Sequence, residues 1–134
     1  MKKNVPNTPL GKLYNEHIDF ILQKNIEGLL GQYAPDALLI STLTEDKKPL
    51  YVRGHQELEA FFRSRIFSLE DLITEIAQWA ETENTLMMVE AITFVGTDGS
   101  TGQCRFYDNW VLDEQGKIKI HFAGVVQYPD GGIA

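Results

Sequence analysis

Residues 104–112, CRFYDNWVL, place an acid where a core should be. Read at the two-residue period of a strand, Cys104, Phe106, Asp108, Trp110 and Leu112 share one face, and Arg105, Tyr107, Asn109 and Val111 the other. A carboxylate on an otherwise apolar face is expelled, neutralised or paired, because loss of water penalises its charge. Between Phe106 and Trp110, Asp108 has the surroundings of a raised-pKa acid, a group suited to proton chemistry on a ligand.

Other titratable side chains could join it. His17 falls on the apolar face of a helical stretch with Leu10, Leu13, Tyr14, Ile18 and Ile21. There it is either a satisfied core residue or a second polar group in the pocket of Asp108, the two contacting one ligand oxygen and Asp108 being neutral or sharing a proton with His17. His121 lies on the last strand, inward unless a bulge turns it out. Glu90 alternates with Leu86, Met88 and Ile92; it either faces inward and shares a proton with Asp108 or faces solvent. The catalytic candidates are therefore Asp108, His17 and His121. Tyr14, Tyr33, Phe61, Met88, Glu90, Phe106 and Trp110 are the candidate ligand-binding walls, although aromatic and Met residues at these spacings also make plain core. Cys104 reads as a small core residue.

Several chemistries are absent from the pattern. The histidines at 17, 55 and 121 show no H-x-H or H-E-x-x-H spacing, so no metal is expected. There is no phosphate loop, dinucleotide fingerprint or G-x-S-x-G elbow, and no cofactor is implied. The glycine-rich GTDGSTG joins two strands and reads as a hairpin. A net charge of −7 argues against nucleic-acid binding, which needs basic surface. No apolar run approaches the roughly 18 residues of a membrane span. The opening MKKNVPNTPLGKLY carries no apolar stretch of the secretory kind, and a single cysteine fits a reducing cytoplasm.

The elements that must position these residues follow from the periods. Residues 1–9 read as a flexible tail, 10–129 as one domain and 130–134 as a second tail. A helix starts at Leu10, and a short one runs from Ile26 to Tyr33, ended by Pro35 and Asp36. ALLIST is a strand, TEDKKP a turn and LYVRG a second strand. A third helix follows Gly54, with Leu58, Phe61, Phe62 and Ile66 as its stripe. Strands are expected at 72–80, 85–95, 102–113 and 117–128, the last three joined by hairpins whose glycines allow positive φ. Helices followed by an antiparallel meander make an α+β domain with helices on one face of a curved sheet.

This order resembles the nuclear transport factor 2-like superfamily, which includes ketosteroid isomerases and SnoaL-like polyketide cyclases. The pieces that carry the resemblance are YAPDALL, YVRGHQELEAFF, FYDNWVLDEQGKI and IHFAGVVQYP. It implies a cystatin-like cone of three helices in the N-terminal half packed on a strongly curved, mostly antiparallel sheet enclosing a pocket. It places Asp108 where ketosteroid isomerases hold an oxyanion-hole aspartic acid, a carboxyl group kept neutral by apolar surroundings so that it donates a hydrogen bond. Ser41 falls where that family has its general-base aspartate, and His17 where it has a tyrosine. The last strand of SnoaL-like proteins often reads His, aromatic, Asp; here it is His121, Phe122, Ala123.

Two expectations of function follow. One is a small-molecule binding protein or acid/base enzyme of isomerase, dehydratase or cyclase type, acting on an apolar, oxygen-bearing ligand. The other is a non-catalytic dimerisation or protein-binding module whose pocket is filled by its own side chains. The resemblance also implies a homodimer through the outer sheet face, where Val89, Ala91, Tyr107, Asn109 and Val111 are less charged than free surface requires.

Overall fold

The computed structural model describes residues 5–42, 44, 46 and 48–127. The expected C-terminal tail, Tyr128 and Pro129, and the first four residues of the N-terminal tail lie outside that set.

Helix α1, Pro9–Gln23, starts where its sequence permits. Thr8 accepts from the Gly11 amide at 3.0 Å, and Pro9 needs no amide donor in the first turn. Lys24 ends it in the left-handed region, and the Asn25 amide reaches back to the Phe20 carbonyl at 2.8 Å. Asn25 then caps α2, Ile26–Gly31, by accepting from the Gly28 amide.

The second helix is shorter than the sequence reading, and the strand after it longer. Tyr33 is not its last residue but the first of β1, Tyr33–Ser41, which absorbs Pro35 and Asp36. Pro35 has no amide with which to continue the helix, and the segment instead pairs with a strand far along the chain, the register shifting between Tyr33 and Leu38. Strand β2, Leu50–Arg53, leads into α3, Gly54–Phe61, through Gly54 at φ +79°. The expected single third helix divides at its end into a π-helical turn, Phe62–Ile66, closed by the Phe67 amide on the Phe62 carbonyl. Strands β3 (Leu69–Glu81), β4 (Thr85–Gly96), β5 (Thr101–Leu112) and β6 (Ile118–Gln127) complete the chain. The β4–β5 and β5–β6 hairpins turn on Gly99 and Gly116, both at positive φ.

The sheet order is β2-β1-β6-β5-β4-β3. Every neighbouring pair is antiparallel except β1 with β6, which is parallel, so the sheet is mixed rather than a pure meander. The architecture is an α+β cone: the helices cover the inner face of the sheet, and Leu10, Tyr14, Ile18, Leu29, Leu39, Leu58, Phe62, Leu86 and Ile118 form its buried core. Among the described residues, no helix is long and apolar enough to cross a membrane.

Candidate functional site

Register decides which polar side chains meet. Met88 is paired with Asp108 and Glu90 with Phe106 across β4–β5; Trp110 is paired with His121 and Asp108 with Ala123 across β5–β6. Cross-strand partners share a face, so Asp108, Glu90 and His121 all point inward, as diagonal or near neighbours. Helix α1 lays Tyr14 and His17, one turn apart, over the same patch.

The polar groups form one hydrogen-bonded chain. The Tyr14 hydroxyl donates to Glu90 Oε2 and is itself bonded by Thr74. Glu90 and Asp108 share a carboxyl–carboxylate hydrogen bond. His121 Nε2 lies 2.8 Å from Asp108 Oδ1, and its Nδ1 lies 2.8 Å from the Tyr33 hydroxyl. The proton positions follow from the buried phenol. Tyr33 has one hydroxyl proton and one acceptor in reach, so it donates to Nδ1. His121 is therefore the neutral Nε2–H tautomer, and its Nε2–H donates to an Asp108 oxygen that carries no proton. His17 stands apart, its Nδ1 3.0 Å from Gln32 Oε1, while the Gln32 amide nitrogen donates to the Leu13 carbonyl. The amide orientation fixes Nδ1–H on His17 as well.

Burial shifts every member of this cluster toward neutrality. It holds His17 down at about 3, helped by neighbouring His121, and His121 down at about 4 against the opposing pull of the Glu90 carboxyl. Burial first, and then the Asp108 charge, pushes Glu90 well above the usual carboxylate range. Burial raises Asp108 to about 6, with the hydrogen bond from Glu90 acting the other way. Near neutral pH the pair holds one proton, carried by Glu90, and one charge, carried by Asp108. Burial above all raises the Cys104 thiol to about 11, which keeps it protonated.

These groups open on a cavity of about 240 Å³ between helices and sheet. Its walls are largely apolar: Ile18, Ile21, Leu39, Phe61, Phe62, Leu72, Met88, Ile92, Phe106 and Trp110. Tyr14, His17, Glu90, Asp108 and His121 line it too, with Ser41 and Ala123. Arg65 and Ser68 are exposed and mark its mouth. Among the described residues no group of three or more His, Cys, Asp or Glu side chains is arranged to hold a metal ion.

The structure gathers the residues read from the sequence, with three differences. The histidine bonded to Asp108 is His121, and His17 is turned to Gln32. Asp108, expected to be neutral or to share a proton with His17, is hydrogen-bonded to His121 and Glu90 instead. Tyr33 is not among the cavity walls; it sits behind His121 and fixes that ring. Glu90, for which solvent was an open alternative, is 3% exposed. Cys104 lines the cavity as well as the core. Gln32 and Thr74 are buried polar partners that the sequence reading did not single out. Thr74 carried a signal, since it alternates with Leu72 and Ile76; Gln32 carried none, since its partner is 15 residues away.

A family model for the SnoaL-like domain matches residues 14–121. No curated protein matches the chain. Among solved structures, the chain is similar to the Delta 5-3-ketosteroid isomerase of a Mycobacterium species, at 16% identity and a TM-score of 0.71, covering 90% of this chain and 99% of that one. It is similar to a Mycobacterium tuberculosis protein in complex with estradiol-17beta-hemisuccinate, at 15% identity and a TM-score of 0.67, covering 84% and 89%. It is also similar to a nuclear transport factor 2-like protein of unknown function from Burkholderia pseudomallei, at 15% identity and a TM-score of 0.69, covering 84% and 86%. At such identities the likeness speaks for the fold, and function has to be argued from the site.

Proposed function

Because this chain belongs to the SnoaL-like domain family, we propose that it binds a small, largely apolar, oxygen-bearing molecule in the cone and acts on it by acid/base chemistry. The observation that carries this reading is a pair of carboxyl groups, Asp108 and Glu90, buried side by side on the wall of a largely apolar cavity, where loss of water raises both above the usual carboxylate range. With a value near 6, Asp108 is matched to proton transfer close to neutral pH. His121 and Tyr33 hold it in place, and Glu90 supplies the proton that keeps the pair at one charge. Isomerisation, dehydration and cyclisation each need a proton moved at an apolar skeleton, which this arrangement supports. The reaction of the ketosteroid isomerases in the same form is not supported, since Ser41 stands where a carboxylate base would be needed. A ligand screen by thermal shift tests the reading, because a molecule that binds only the folded chain raises its Tm. No stabilisation by any small apolar compound would retire it.

The alternative of a module filled by its own side chains is not favoured, because the interior retains a cavity of about 240 Å³. The outer sheet face supports a homodimer. Tyr107 and Met87 are 44% and 56% exposed on adjacent strands, Ile73, Ile120 and Val126 are exposed elsewhere on the same face, and a sheet face with so many exposed apolar side chains is suited to a second copy.

A further inference from the structure

The cavity's hydrogen-bonding groups can be sorted into donors and acceptors. Tyr14 donates to Glu90, and Tyr33 donates to His121. His121 Nε2–H donates to Asp108, and the proton of the carboxyl pair lies between Glu90 and Asp108. His17 Nδ1–H is given to Gln32, and the amide of Gln32 to the Leu13 carbonyl. The indole N–H of Trp110 has no partner and is sealed from the cavity as well as from solvent. Each of these protons is therefore spent inside the protein or out of reach; of the other donors in the lining, Ser41 is buried and already has a partner, and Arg65, also partnered, stands at the exposed mouth away from the inner end.

Lone pairs, by contrast, are left over. His17 lines the cavity, and among the described residues nothing bonds its Nε2. That nitrogen is the acceptor end of a ring whose tautomer is locked by Gln32, and the side chain is only 6% exposed. The Asp108 carboxylate, with about four lone-pair sites, has accepted from His121 and Glu90 and retains capacity for more.

We infer that the inner end of the cavity selects a neutral ligand that donates a hydrogen bond, a hydroxyl of phenol or enol type on an apolar ring system, rather than a ketone. A carbonyl placed there would bring a third set of lone pairs against two existing ones and leave all of them unpaired in an apolar site, whereas a hydroxyl gives its proton to His17 Nε2. The size is compatible with more than one ring, since a cavity of about 150 Å³ already holds benzene. The inference rests on the ligand-binding reading above and adds the polarity of the ligand.

The test uses the full chain and four probes of similar size: naphthalene, β-naphthol, its methyl ether and β-tetralone, titrated by calorimetry near neutral pH. The naphthol should bind about ten-fold or more tighter than the ether and the ketone, the size of one matched hydrogen bond to a buried acceptor. In His17→Phe most of that advantage should vanish while naphthalene binds about as before. Should His17→Phe fail to fold, the four probes on the unaltered chain still decide. Equal or tighter binding of the ketone or ether overturns the inference while leaving the ligand-binding reading intact. An undiminished naphthol advantage in His17→Phe overturns the place given to His17. If not even naphthalene binds, both readings fall.

Discussion

His121 Nε2 sits 2.8 Å from Asp108 Oδ1, with both side chains less than one-tenth exposed, and the contact is a neutral imidazole donating to a carboxylate rather than an ion pair. A charged imidazole would need an acceptor on each nitrogen, and Tyr33 would then be left with a buried hydroxyl proton and nowhere to place it. The histidine thereby orients the acid without cancelling its charge.

Asp108→Asn should keep the fold and change binding. The amide has nearly the same shape, but its NH₂ end meets either the His121 Nε2–H or the Glu90 hydroxyl, donor against donor. A loss of about 1–3 kcal/mol is expected for one buried group so mismatched. Melting temperature and ligand titration on the same variant separate the roles. A large loss of stability with unchanged ligand affinity would count against Asp108 as a ligand group.

Tyr33→Phe should act through stability and through the His121 tautomer, because the phenol touches the ring and not the cavity. Removing its hydroxyl leaves Nδ1 without a donor in a buried site, at a cost of about 1–3 kcal/mol. Nitrogen chemical shifts of His121 should move away from a pure Nε2–H form. Unchanged shifts would mean that Asp108 alone sets the tautomer.

The acid limb of stability should depend on the two buried histidines. Their folded values, about 3 for His17 and about 4 for His121, lie below the ordinary 6.5. As pH falls below 6.5 the unfolded chain takes up protons that the folded chain refuses, so stability is lost progressively down to those values. Denaturation curves of His17→Phe should show a shallower loss over the same range. Parallel curves for variant and parent would contradict a neutral, buried His17.

Glu90 should give the opposite slope. Its folded value is raised above the ordinary 4.5, so the folded chain keeps a proton that the unfolded chain releases, and stability falls as pH rises from 4.5 toward the raised value. Glu90→Gln removes that titration and keeps an acceptor for Tyr14. The Tm of the variant relative to the parent should climb steadily with pH across this window. A constant difference would place Glu90 in its ordinary range.

Charge placed on the outer sheet face should break the proposed homodimer. Tyr107→Lys combined with Met87→Glu puts charged groups on adjacent strands of the apolar area without entering the core. Light scattering should report half the parent's mass. A parent that is already monomeric at micromolar concentration would overturn the dimer.

The sequence by itself determined the inward row of β5, because the two-residue period there is unbroken and the side a residue takes is a property of neighbours in the chain. It also determined the apolar face of α1 with His17 on it, the hairpins at Gly99 and Gly116, and the α+β order of elements. What it could not determine were relations between strands and helices distant in the chain. That His121 and not His17 reaches Asp108 depends on the β5–β6 register, and that Glu90 is buried depends on β4 having a partner on each side. The parallel pairing of β1 with β6, and the start of β1 at Tyr33 despite Pro35, depend on a strand some 80 residues away. So does the donor and acceptor balance of the cavity, since Tyr33 to His121 spans 88 residues and Tyr14 to Glu90 spans 76. Local periodicity fixes which way a side chain points, whereas only tertiary packing fixes what it meets there, and the proton chemistry of buried groups is set by what they meet.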